Sequence, residues 1–158
     1  MNFKTRKPNR LKNYDYSQNG VYFITVCVKN RNPILSYIPV GANCVRLSKI
    51  GKAVEEEINN ISKIYANVTV ENYVIMPNHI HLLVFIDRFS GRTQFAPTIS
   101  RIIKQFKGVI TKRLGKSIWQ KGFYDHIIRD EYDFQIRWQY IEDNPYRWCE
   151  DYMFNKTT

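Results

Sequence analysis

His79 and His81, two residues apart, are the first residues in this chain whose spacing could do chemistry. They open the run His79-Ile80-His81-Leu82-Leu83-Val84-Phe85-Ile86, in which a strand would put both imidazoles on one face and Ile80, Leu82, Val84 and Ile86 on the other. Their Cα atoms would then be about 7 Å apart, a spacing that lets both rings chelate one divalent ion. A pair of surface histidines on an ordinary amphipathic strand explains the same tripeptide, so a second group must converge on it. That group is a candidate helix in which Tyr140 and Asn144 are one turn apart and Arg137 stands three residues before the tyrosine. A phenol, an amide oxygen and a guanidinium then share one stripe. A rim tyrosine, a helix-terminal asparagine before Pro145 and a solvated arginine would give the same pattern. A divalent ion held by neutral ligands keeps its charge available to polarise a phosphodiester, and a phenol of ordinary pKa, about 10, needs a nearby cation to favour the phenolate.

The elements that must position these groups can be read from the pattern. Val21 to Val28 is rich in β-branched and aromatic residues and is bracketed by Asn19-Gly20 and Asn30-Arg31-Asn32-Pro33, which predicts a strand. Ser48 can cap a helix to about Tyr65 with Ile50, Val54, Ile58, Ile61 and Tyr65 on one stripe. Val68 to Met76 and His79 to Ile86, separated by Pro77-Asn78, predict an antiparallel hairpin. Pro97-Thr98 opens a second helix with Ile99, Ile102, Ile103, Phe106, Ile110 and Leu114 inward. Phe123 to Ile128 is a candidate strand, and Asp130 begins a third helix that buries Phe134, Trp138 and Ile141 and closes at Asn144. This β-α-β-β-α-β order followed by a helix is that of an α+β, ferredoxin-like sandwich: a central antiparallel sheet, helices on one face, and a C-terminal helix bearing Tyr140. The sheet's other face is expected to be free for a site.

At 158 residues the chain reads as a single domain spanning 1–158, with a basic N-terminal arm at about 1–13. No apolar run is long enough for a membrane-spanning helix, and the polar stretch after the arm is not a signal sequence, so a cytoplasmic, nucleoid-associated protein is expected. Cys27, Cys44 and Cys149 are scattered and read as reduced thiols. The net charge of +10 calls for a polyanionic partner. No Asp or Glu occurs from Arg88 to Tyr124, where nine Lys and Arg residues fall; with the arm they are more than half of the 24 in the chain. Lys4, Arg6, Lys7 and Arg10 in the arm, and Arg101, Lys104, Lys107, Arg113 and Arg137 beyond it, are the candidate DNA-backbone contacts. A solvated basic face would look alike, but the interleaved Phe106, Trp119, Phe123 and Tyr124 favour a single-stranded nucleic acid, held by phosphate neutralisation and base stacking.

Tyr73-Val74-Ile75-Met76-Pro77-Asn78-His79-Ile80-His81-Leu82-Leu83-Val84 resembles the histidine-hydrophobic-histidine (HUH) strand of the single-tyrosine insertion-sequence transposases. Tyr140-Ile141-Glu142-Asp143-Asn144-Pro145, Trp119 to Arg129 and Tyr14 to Thr25 are similar to their REP-associated tyrosine transposase branch, so the resemblance covers nearly the whole chain. It implies a ferredoxin-like fold, His79, His81 and Asn144 as ligands of Mg²⁺ or Mn²⁺, and Tyr140 as the nucleophile toward single-stranded DNA. Asn144 stands where insertion-sequence relatives usually carry glutamine and matches the REP-associated branch instead. The implied activity is a metal-dependent single-stranded DNA endonuclease and strand-transferase acting at hairpin-forming repeats through a 5′-phosphotyrosine. The alternative is a catalytically silent protein that only binds structured single strands. A monomer and a homodimer both fit. His126 and Arg129 match a recurrent stretch of that branch whose role the sequence does not disclose.

Overall fold

The computed structural model describes residues 19–39, 42, 44–87 and 97–148. Its frame is a four-stranded antiparallel sheet in the order β4-β5-β1-β6, built from β1 (Gly20–Cys27), β4 (Val68–Ile75), β5 (His79–Ile86) and β6 (Tyr124–Ile128). With α1 (Lys49–Ile64) after the first strand and α2 (Ile99–Leu114) after the third, this is the ferredoxin-like α+β arrangement. Between β1 and α1 lie a short 3₁₀ turn (Lys29–Arg31) and a small ladder of β2 (Ser36–Tyr37) with β3 (Arg46–Leu47), too short to leave a period in the sequence.

Helix boundaries follow their caps. Ser48 Oγ accepts the Gly51 N–H, Thr98 Oγ1 accepts that of Arg101, and Asp130 Oδ1 accepts that of Asp133 at the start of α3 (Glu131–Asp143). Gly115 ends α2 in the left-handed conformation at φ 70°, which costs glycine least. Pro77-Asn78 turns β4 into β5, closed by Met76 N–H donating to the His79 carbonyl.

Strand alternation sorts the core. Tyr22, Ile24, Val26, Ile80, Leu82, Val84 and Ile86 face α1 and α2 with Val54, Ile58, Ile61, Ile102, Ile103, Phe106 and Ile110. Phe23 and Leu83 face the other way and pack with Ile141, Phe134 and Tyr140 of α3. That second face is therefore covered by α3 and not open, so β5 is buried along almost its whole length. Trp138, expected inside, is 37% exposed: α3 is short and only part of its circumference meets the sheet.

Candidate active site beneath the tyrosine helix

His79 and His81 sit on the α3 side of β5, and both are buried. Register places His81 opposite Thr25 and His79 opposite Cys27 at the end of β1. Their Nε2 atoms are 3.0 Å apart. The outer nitrogens are held as well: His79 Nδ1 lies 2.8 Å from Asn78 Oδ1, and His81 Nδ1 lies 2.8 Å from Thr25 Oγ1. A side-chain amide oxygen only accepts, so His79 carries its proton on Nδ1 and turns the Nε2 lone pair toward His81. A hydroxyl both donates and accepts, so Thr25 suits either His81 tautomer. When His81 donates Nδ1–H to Thr25, the two lone pairs converge.

Burial, and after it the charge of Arg31, pushes His79 down to about 3. Burial likewise holds His81 well below its ordinary value, with His79 and Arg137 acting in the same direction. Both rings are thus neutral, the form that ligates a cation. Cis ligands of an octahedral ion with bonds of about 2.1 Å lie roughly 3 Å apart, the separation the two Nε2 atoms show. A third donor is at hand. Asn144, at the end of α3, is buried and its Oδ1 has no hydrogen-bond partner among the described residues, an arrangement that costs about 1–3 kcal/mol unless something uses the oxygen. Four residues to either side, the same segment touches the histidines: the Tyr140 ring is 5.2 Å from that of His81, and Trp148 is 6.1 Å from His79. Two imidazoles and an amide oxygen fit Mg²⁺ or Mn²⁺, with the imidazoles favouring manganese. Among the described residues no cluster of three His, Cys, Asp or Glu side chains offers another metal site.

Tyr140 is half-buried. Its ring stands edge-on to Phe23 at 5.8 Å, and Phe23 in turn stacks on His81 at 5.1 Å. Arg137 Cζ also lies over the Phe23 ring, 5.3 Å from its centroid. His81, Tyr140 and Arg137 therefore meet around one phenylalanine, while Asn144 closes the same segment.

The basic residues are less concentrated than the sequence implies. Arg101 and Lys104 are exposed on α2, but α2 lies across the sheet from Tyr140. Lys107 donates to the carbonyls of Gln120 and Gly122, and Arg113 pairs with Glu56 at 2.6 Å and Glu57 at 3.6 Å, so both are committed within the fold. Lys4, Arg6, Lys7 and Arg10 lie outside the described residues. Of the interleaved aromatics, Phe106 and Trp119 are core, their rings 5.8 Å apart, and cannot stack on bases; Phe123 is half-buried and Tyr124 exposed. Basic charge reaches the His79 end of the sheet by another route. Lys29 and Arg31 follow β1 directly, and the segment carrying Lys121 is tied there by Lys29 N–H to the Ile118 carbonyl and Gln120 N–H to that of Cys27.

Asn78, Thr25 and Arg31 are the site residues that the sequence pattern does not single out. Asn78 adjoins His79 and could have been noticed as a buried amide in a turn; Thr25 depends on register alone. Among the described residues Cys27 and Cys44 form no disulfide, and Cys149 lies outside them.

Comparison with known proteins bears on this geometry. No family model matches the chain. An uncharacterized protein of Haemophilus influenzae is 32% identical over 94% of this chain and 93% of its own. A REP-associated tyrosine transposase of Escherichia coli is 28% identical over 82% of this chain and 68% of its own. The chain is similar to proteins named REP-associated tyrosine transposase. The fold of a REP-associated tyrosine transposase solved bound to a REP hairpin superposes with a TM-score of 0.65 at 22% identity, covering 87% of this chain and 73% of that one. Among the described residues of this transposase relative, no helix is long and apolar enough to cross a membrane.

Proposed function

We propose that this REP-associated tyrosine transposase relative cleaves and rejoins single-stranded DNA at hairpins, with Tyr140 as nucleophile and His79, His81 and Asn144 holding Mg²⁺ or Mn²⁺. The observation that carries the reading is the Tyr140 ring set 5.2 Å from His81, whose Nε2 is 3.0 Å from that of His79. The hairpin substrate is carried over from the solved relative's REP hairpin complex.

When bound, the divalent ion would polarise the phosphodiester and offset its negative charge. Thr25 and Asn78 fix the imidazole rings so that their lone pairs need not reorganise. Phe23 confines the Tyr140 ring between His81 and the Arg137 side, and α3 keeps bulk water from both histidines. The Tyr140 oxygen bonds to phosphorus as the bond from phosphorus to the 3′-oxygen breaks; the phenolic proton passes to solvent and the departing oxygen takes one up as a 3′-hydroxyl. The tyrosyl link conserves a phosphodiester, so attack by a 3′-hydroxyl reverses the step and joins strands without a nucleotide cofactor. Arg31 and Lys29 at the His79 end supply positive charge for the strand's backbone.

Incubation with hairpin oligonucleotides and Mn²⁺ should give a covalent protein–DNA adduct on a denaturing gel. Tyr140→Phe should abolish the adduct and keep hairpin affinity. An adduct that persists in Tyr140→Phe overturns the nucleophile, and a wild-type protein that binds hairpins tightly yet forms no adduct is the silent binder instead.

A further inference from the structure

His126 of β6 is the register partner of Phe23 and so faces α3. Its Nε2 lies 2.7 Å from Asp133 Oδ2, and Asp133 Oδ1 accepts Arg137 Nε at 3.4 Å. Burial alone would raise the Asp133 carboxyl, but the His126 hydrogen bond and charge, the Arg129 backbone N–H and Arg137 together hold it below its ordinary value. Both carboxylate oxygens are thus in use. The pair engages Nε of the guanidinium, whose Cζ lies over the Phe23 ring, 5.3 Å from its centroid. One turn later on the same helix comes Tyr140.

We propose that His126 and Asp133 are positioning residues that fix Arg137 as a clamp for the DNA phosphate presented to Tyr140. The proposal rests on single-stranded DNA reaching Tyr140, as read above. A guanidinium anchored by Nε and a ring face is pre-organised for an anionic oxygen pair, because little side-chain freedom is left to lose when the phosphate arrives. A simple staple between β6 and α3 would need only His126 and Asp133. Here the chain of contacts continues through Arg137 to Phe23, and Phe23 touches both His81 and Tyr140.

The test uses the full chain and compares wild type with His126→Ala, His126→Gln, Arg137→Ala and the double variant His126→Ala/Arg137→Ala. Hairpin affinity is measured over a salt series, the adduct rate at saturating DNA with Mn²⁺, and thermal stability alongside. Arg137→Ala should slow the adduct at least about tenfold and reduce the salt slope by about one. His126→Ala should show the same loss, although no lysine or arginine is removed. The double variant should be no worse than Arg137→Ala, and His126→Gln, which restores an N–H donor to Asp133, should recover most of the rate. Additive losses in the double variant overturn the clamp, as does a His126→Ala that lowers thermal stability while its rate, affinity and salt slope stay at wild-type values. If wild type forms no adduct, the nuclease reading fails on its own, and the affinity and salt slopes of the same variants still decide the clamp.

Discussion

Thr25 Oγ1 lies 2.8 Å from His81 Nδ1, and the two residues are register partners across the central β1–β5 ladder. The hydroxyl anchors the Nδ1 side of the His81 ring, whichever nitrogen carries the proton. Thr25→Val keeps the branched shape that suits a strand and removes only the partner oxygen. Loss of such a supporting contact typically lowers metal affinity by about 10–100-fold. Mn²⁺ titration followed by calorimetry should show a loss in that range with the circular dichroism spectrum unchanged; equal affinity would remove Thr25 from the site.

The two buried imidazoles give the metal-free protein a definite pH dependence. His79 is lowered from 6.5 to about 3, by burial and then Arg31, and His81 is lowered by burial, His79 and Arg137. An unfolded chain takes up protons as pH falls through 6.5, while the fold holds these rings neutral to lower pH. Their contribution is therefore complete above that value and is lost as pH falls, by up to about 1.4 kcal/mol per pH unit for each ring. Melting temperatures in EDTA should drop between about pH 7.5 and 5 with such a slope. His79→Gln should roughly halve the slope, and a flat profile in wild type contradicts the neutral pair.

How far the sequence discloses this site depends on the range of the contacts. Ser48, Thr98 and Asp130 mark helix starts because capping is local, and the His79 to Ile86 strand shows its boundaries through the turn before it. The pairing of Tyr140 with His81 is a contact between elements. A helix pattern shows that Tyr140, Asn144 and Arg137 share a stripe, but not that the stripe presses on Phe23. The same limit hides why Lys107 and Arg113 are not spare charges: their partners, the Gln120 and Gly122 carbonyls and Glu56, are brought close only by folding. His126 is uninformative in the sequence because Asp133 and Phe23 give it meaning from two other directions.

Gly51 and Gly108 should respond oppositely to alanine. A Cβ on Gly51 would stand 2.0 Å from the Leu35 carbonyl oxygen, which also accepts the Ser48 N–H at 2.9 Å, so the first turn of α1 cannot retreat. Overpacking against backbone should cost about 3 kcal/mol or more, a fall in melting temperature of roughly 6 °C or beyond. A Cβ on Gly108 meets nothing within 4 Å on an exposed part of α2, so Gly108→Ala should gain about 0.5–1 kcal/mol. Differential scanning calorimetry separates the two signs.

Lys107 should act on the fold more than on DNA. Its ammonium caps the Gln120 and Gly122 carbonyls, and burial lowers its pKa. Lys107→Ala should cost about 1–2 kcal/mol, read as a lower melting temperature, and leave the salt slope of hairpin binding unchanged. A slope reduced by about one with an unaltered melting temperature would return Lys107 to the phosphate contacts.

Asn144 offers the sharpest separation of a structural from a ligating role. A buried amide kept for the fold would be hydrogen-bonded through its oxygen, and removing it would be costly. Among the described residues the Asn144 oxygen has no such partner, although the residue is only 3% exposed and ends the helix that carries Tyr140. Asn144→Ala therefore removes an unpaired polar atom along with little packing, and the melting temperature of the metal-free protein should hold or rise slightly. If the oxygen completes the set begun by His79 and His81, the same variant should lose about tenfold or more in Mn²⁺ affinity, together with most adduct formation by Tyr140. Measuring stability in EDTA and affinity by Mn²⁺ titration on one preparation tests both halves. A large drop in melting temperature with unchanged Mn²⁺ affinity would make Asn144 a helix-terminal residue and leave the metal to the histidine pair alone.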